Sequence, residues 1–161
     1  MPVWGTATMQ RTARGPGALH LQLANELHEL ARLHEAAEEF ARRAGMPERR
    51  RLDLRLALEE VVANVIRYAW DGGRHRIDVL LAHAGGELAA QVADDGRPFN
   101  PLHRPPFDPE VPLEERQIGG MGIHTVRHVT DGMAYERQGG RNVLSLTFRW
   151  RPDASRPPAD S

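Results

Sequence analysis

The sequence predicts an α/β fold built on a mostly antiparallel sheet, and three observations predict it. Two pairs of short alternating segments are each joined by Gly-Gly, at Gly85-Gly86 and Gly139-Gly140, a strong hairpin signal. Two long stretches, 25–44 and 48–69, carry apolar residues at helical spacing. The chain has 161 residues, enough for one domain with a real core.

Taken in order, residues 1–17 are rich in Thr, Arg, Gly and Pro without a sustained period and are expected to form a flexible segment. From Ala18 to Leu23 apolar and polar residues alternate, which predicts a first strand. The helix expected over 25–44 has Asn25 as its cap and Leu27, Leu30, Ala31, Ala37 and Phe40 on its apolar side, and it ends at Gly45 and Pro47. His28 and His34 in this helix do not share a face, so they read as surface residues rather than ligands.

The second helix, 48–69, contains no Gly or Pro. At about 100° per residue, Leu58, Val61, Val62, Val65 and Ala69 share one face. Glu60 and Asn64 stack one turn apart on another face, with Arg67 near the same line. Such a pair beside an apolar wall is able to hold a hydrated cation and a nucleophile's proton together; an ordinary amphipathic helix with a polar stripe has the same pattern.

Asp71-Gly72-Gly73 closes that helix, and the strands 76–84 and 87–94 follow. The second runs into Asp94-Asp95-Gly96-Arg97-Pro98-Phe99, where a carboxylate leaving a strand is either aimed into a pocket or part of an acidic turn. Residues 100–118 hold five prolines and little periodicity, the mark of a functional or disordered loop. Gly119-Gly120-Met121-Gly122 then opens a helical pattern with Ile123, Val126 and Val129. Glycines there let backbone N–H groups approach an anion at the positive end of the helix dipole. The ending of a Walker loop is absent, and no strand runs directly into the glycines as in a Rossmann turn. His124 and His128 sit four apart, but no third ligand accompanies them. The closing hairpin spans 134–150, and the proline-bearing tail, 151–161, is expected to be disordered.

Composition narrows the function classes. Net charge is −1, so there is no global basic field for nucleic acid, and no apolar run is long enough to span a bilayer. The N-terminus does not read as a signal peptide. With no cysteine, disulfides, thiolate metal sites and a Cys nucleophile are excluded. A cytoplasmic protein with no direct nucleic-acid or membrane partner is the expectation.

In sequence order, Glu60-x-x-x-Asn64, Asp94-x-Gly96, a long loop and Gly120-x-Gly122 resemble the boxes of the GHKL ATP-binding superfamily, to which gyrase, histidine kinases and mismatch-repair ATPases belong. The wording LALEEVVANVIRYAW, DDGRPFNPL and GGMGIHTVRHVTD is similar to the anti-sigma-factor serine/threonine kinases of bacterial partner switching, the RsbW type. The resemblance covers about residues 18–148. It implies a Bergerat-type two-layer α/β sandwich spanning 18–150, with a mixed, mostly antiparallel sheet, helices on one face and residues 100–118 as the ATP lid.

The resemblance further implies ATP and Mg²⁺ as cofactors. Asp94 would accept from the adenine amine and Gly96 would let the base lie close. Asn64 would supply an oxygen to Mg²⁺. Gly120, Met121 and Gly122 would present backbone N–H groups to the phosphates, and Glu60 would be the general base. Arg116 would reach the γ-phosphate or remain a solvated loop charge. The partners implied are a sigma factor and an anti-anti-sigma (STAS-type) protein substrate, and such kinases are commonly homodimers. An ATP-gated sequestering module with little kinase activity is the alternative, and a nucleotide-free interaction domain a third. The chain departs from the family in reading Arg67-Tyr68-Ala69-Trp70 at the helix end, where relatives often carry His before the aromatic, in Pro98 where many have a second Gly, and in Asn142 where others offer Thr.

Overall fold

A computed structural model of the chain describes residues 17–103, Glu110 and residues 120–152. The expectations for residues 1–16, for Arg116, for most of the 100–118 loop and for the tail from 153 onward lie outside the described residues. Strand β1 (Ala18–Ala24) is followed by helices α1 (Glu29–Arg43) and α2 (Glu48–Tyr68). Strands β2 (Arg76–Ala84) and β3 (Glu87–Asp94) form a hairpin, and a 3-10 turn follows at Pro101–His103. Helix α3 (Gly120–Val129) leads into the hairpin of β4 (Gly132–Gln138) and β5 (Arg141–Arg149).

The five strands form one sheet in the order β1-β2-β3-β5-β4, and all four pairings are antiparallel. The mixed character expected of the sheet is therefore not seen among the described strands. The helices return to one face without placing any two neighbouring strands parallel. Gly85 and Gly86 have φ of +54° and +80°, and Gly139 and Gly140 have +57° and +77°. Positive φ at both central residues is what a tight hairpin with the native twist requires, and only glycine adopts it without strain.

Alternation along each strand sends one set of side chains toward the helices. Leu23, Ile77, Val79, Leu81, Leu88, Val92, Leu146 and Phe148 meet Leu33, Ala37 and Ala41 of α1 and Leu54, Leu58, Val61 and Val62 of α2. All are buried, and each large side chain among them contributes about 1.5–3 kcal/mol by leaving water.

Two local expectations are corrected. Helix α1 starts at Glu29, with no side-chain cap, not at Asn25. Asn25 instead accepts from the His75 N–H and donates to the Gly73 carbonyl, tying the end of β1 to the turn after α2. His34 is not a surface residue: it is half-buried beside Glu59, and burial lowers its pKa.

The orientation of α3 is fixed from its far end. Arg50 on α2 donates to Asp53 (2.6 Å), to the Val129 carbonyl (3.1 Å), to Asp131 (2.5 Å) and to the Arg149 carbonyl (3.2 Å). Its guanidinium also lies over the Phe148 ring, 5.6 Å from the centroid. One cation thus pins the C-terminal end of α3 against α2 and the sheet. Arg127 of α3 donates to the Leu102 carbonyl (2.8 Å), which holds the 3-10 turn to the same helix.

Candidate functional site

Between α2, α3 and the ends of β3 and β5 lies a cavity of about 520 Å³. Its walls are mostly apolar, from Val61, Val65, Val92, Ile123 and Leu144, with Asn64, Asp94, Tyr135 and Asn142 as polar points and Tyr68 and Phe99 at its exposed rim. A mostly apolar cavity with a few converging polar groups is the usual form of a small-molecule site.

Asp94 is the last residue of β3 and shares the core face with Leu88, Ala90 and Val92, so alternation carries a carboxylate inside. Only 4% of it is exposed. Its Oδ1 accepts the Gly96 N–H (2.9 Å) and the Asn142 Nδ2–H (3.0 Å). Burial pushes the Asp94 carboxyl above the ordinary carboxylate range; the bonds from Asn142 and Gly96, and the Arg137 charge, offset part of that.

Gly96 is present because nothing larger fits. A Cβ there would lie 2.5 Å from the Ala69 Cβ and 2.6 Å from the Ala69 carbonyl oxygen. The Arg97 N–H donates to that carbonyl (3.0 Å) and Arg137 donates to the Gly96 carbonyl (2.9 Å), so the turn is fastened between the end of α2 and β4. Trp70 adds a third fastening through its Nε1–H to Asp95 (3.1 Å), with its ring stacked on His75.

Gly122 does the corresponding work at the other end. A Cβ on it would lie 2.3 Å from Oε2 of Glu60 and 3.6 Å from Nδ2 of Asn64. The two residues stacked on α2 therefore meet the first turn of α3, where free N–H groups and the helix dipole favour anions. Gly120 and Met121 belong to that same turn. Asn64 and Asp94 thus line one cavity, with Glu60 and Gly122 packed beside Asn64 and Gly96 beside Asp94, while Arg116 lies outside the described residues.

Other expectations resolve differently. Arg67 is exposed at the end of α2. The His124 and His128 rings are 5.8 Å apart, and the described residues hold no group of three metal-ligating side chains. Asn142, named in the sequence only as a departure, lies at the centre of the site with Tyr135 and Arg137. The Gly139-Gly140 hairpin places Arg137 opposite Asn142, but the Asp94–Asn142 pairing spans 48 residues and no local signal announces it.

Residues 23–148 match the family model of the histidine kinase-like ATPase domain. The chain belongs to that family. Among its relatives is the serine/threonine-protein kinase BtrW of Bordetella bronchiseptica, 29% identical over 120 residues, which cover 73% of this chain and 83% of that protein. The serine-protein kinase RsbW of Bacillus thuringiensis is 25% identical over 100 residues, covering 60% of this chain and 62% of RsbW. In structure, the chain is similar to the RsbU and RsbW domains of a Mycobacterium tuberculosis protein, with a TM-score of 0.60 and 22% identity, over 84% of this chain and 32% of that one. At that identity the likeness speaks for the fold, and the α/β sandwich expected from the sequence is the family's. No helix among the described residues is long and apolar enough to cross a membrane.

Proposed function

We propose that this chain is an ATP-dependent serine/threonine protein kinase and anti-sigma factor. In one state it sequesters a sigma factor; in the other it phosphorylates a small anti-anti-sigma (STAS-type) antagonist on Ser or Thr. The observation that carries the reading is the meeting of Glu60 and Asn64 with Gly122, at one end of a cavity whose other end presents the buried Asp94 carboxylate. The kinase relatives BtrW and RsbW support the same reaction class.

The residues fit the groups this reaction needs. An apolar slot ending in a buried carboxylate suits adenine, whose exocyclic amine donates where guanine would present an oxygen. A glycine with no room for a Cβ at a helix N-terminus suits phosphate. Asn64 offers a hard oxygen donor of the kind Mg²⁺ prefers. Magnesium, when bound, would neutralise phosphate charge.

Glu60 takes the proton from the protein hydroxyl as that oxygen forms its bond to the γ-phosphorus. The bond to the bridging oxygen breaks and ADP leaves. Asn64 orients the phosphate side, and the first turn of α3, with Gly120, Met121 and Gly122, stabilises the charge on the transferring group. Phosphate added to the antagonist brings about −1.5 to −2 charges, which weakens its docking and returns the kinase to the sigma factor. A cytoplasmic homodimer is the form in which we expect this switch to operate.

The test is capture of small partners from the source bacterium with ATP and Mg²⁺, followed by transfer of labelled γ-phosphate. A small protein labelled on Ser or Thr, competing with a sigma factor, is the expected result. A partner that binds without ever taking label, while ATP binding is shown separately, would mean a sequestering module instead.

A further inference from the structure

Asn142 makes four hydrogen bonds, the full capacity its amide is able to satisfy here. Its Nδ2 donates to Oδ1 of Asp94 (3.0 Å) and to the Arg97 carbonyl (2.9 Å). Its Oδ1 accepts the Phe99 N–H (3.1 Å) and the Tyr135 O–H (2.6 Å). The residue is 6% exposed, so an unmet bond here would be costly.

These partners admit one amide orientation. The Arg97 carbonyl only accepts, and the Phe99 N–H only donates. Turned over, the amide would set oxygen against the Arg97 carbonyl and against Asp94, and N–H against N–H at Phe99. The Tyr135 hydroxyl, able to do either, then serves as a donor. Asp94 Oδ1 is filled as a result, by Asn142 and by the Gly96 N–H. Oδ2 has no protein partner among the described residues, and Asp94 lines the cavity.

We infer that Asn142, locked by Tyr135 and Phe99, is a positioning residue that sets base specificity. It occupies one carboxylate oxygen of Asp94 and turns the other, a bare acceptor, toward the cavity. Only a ring carrying an N–H donor at that point is then admitted. The inference rests on the reading of Asp94 as the adenine contact. Tyr135 and Asn142 both line the same cavity, so the hub and the base share one wall. Asn142 also braces the backbone of residues 97–99, so its loss has a structural effect as well as a selective one.

A comparison of nucleotides separates the two effects. Affinities of the full chain are measured by calorimetry for ATP and for purine riboside triphosphate, which lacks only the 6-amino group. The native chain should prefer ATP by about tenfold or more, the scale of a hydrogen bond to a charged acceptor. Asn142→Leu should bring the ratio to within about threefold of unity, whatever it does to the affinity for purine riboside triphosphate itself. Asn142→Thr, which restores a donor, should recover part of the preference. Tyr135→Phe removes a single hydroxyl and should lower the ratio by roughly twofold to fivefold; it decides the matter if Asn142→Leu does not fold.

Equal weakening of both nucleotides, with the ratio kept, would overturn the inference and leave Asn142 a merely structural residue. The parent reading is checked by Asp94→Ala in the same assay. If the native chain shows no preference, or Asp94→Ala keeps it, the adenine assignment itself fails. If Asp94→Ala abolishes the preference while Asn142→Leu and Tyr135→Phe retain it, only the role of Asn142 is wrong.

Discussion

The two ends of the cavity are built on opposite principles. At the Asp94 end the polar groups hold one another, leaving Oδ2 of Asp94 aside: Asp94, Gly96, Asn142, Tyr135, Phe99 and Arg137 form one continuous set of hydrogen bonds. At the Glu60 end, the side chains of Glu60 and Asn64 make no hydrogen bond to a described residue and meet Gly122 by close packing. The two glycines show the same contrast. A Cβ on Gly96 would strike backbone and a short side chain at Ala69, whereas one on Gly122 would strike the far end of a flexible carboxylate. A fixed end suits recognition of a rigid ring. A loosely held carboxylate suits a group that must move a proton.

The strongest way to break this contrast is at the fixed end. ATP with Mg²⁺ at about a hundredfold its Kd should stabilise the native chain by about 2.7 kcal/mol, roughly 5–10 °C in melting temperature. Asp94→Ala should abolish the shift; a retained shift would place the nucleotide elsewhere.

The glycines sharpen the comparison next. Gly96→Ala should destabilise the nucleotide-free protein by about 1–3 kcal/mol, because α2 and the turn must separate. Gly122→Ala should cost under about 1 kcal/mol, since Glu60 has room to swing away, yet reduce phosphate transfer by about tenfold or more. Thermal unfolding paired with a transfer assay reads both, and equal destabilisation by the two would remove the distinction.

The smallest effect is in pH. Because the Asp94 pKa is raised on folding, the unfolded chain gives up this proton first as pH climbs. The contribution of Asp94 to stability is therefore greatest at low pH and falls as pH rises through the carboxylate range. On the proposed function ATP binding should run the other way: Oδ1 already accepts two N–H groups, so a proton on the carboxyl would sit on Oδ2 and oppose the adenine amine. Affinity should rise as pH passes the Asp94 pKa, with Arg137 and Asp95 as the charged neighbours that set its position. The profile of Asp94→Asn serves as the subtraction control, and identical profiles would refute the assignment.

What the sequence revealed divides along similar lines. Strands β2 and β3 lie where alternation put them, α2 ends within a residue of its expected end, and both Gly-Gly turns have the positive φ that hairpins need. These features follow from neighbours in the chain. The start of α1 was misplaced because the Asn25 side chain bonds to the turn at 73–75, a contact 48 to 50 residues away. The half-burial of His34 depends likewise on where α2 packs. At the site, Glu60, Asn64 and the glycines were legible because one helix and two short turns carry them. The place of Asn142 beside Asp94 was not, because it arises only when β3 pairs with β5.

The measurement that bears most directly on the proposed chemistry is labelled phosphate transfer by Glu60→Gln, with ATP affinity determined on the same preparation. Glutamine keeps the shape at Gly122 and removes the base. Transfer should fall by about a hundredfold to ten-thousandfold while ATP binds within about threefold of native affinity. Transfer at the native rate would show that Glu60 is not the base and that the meeting of α2 with α3 serves another purpose.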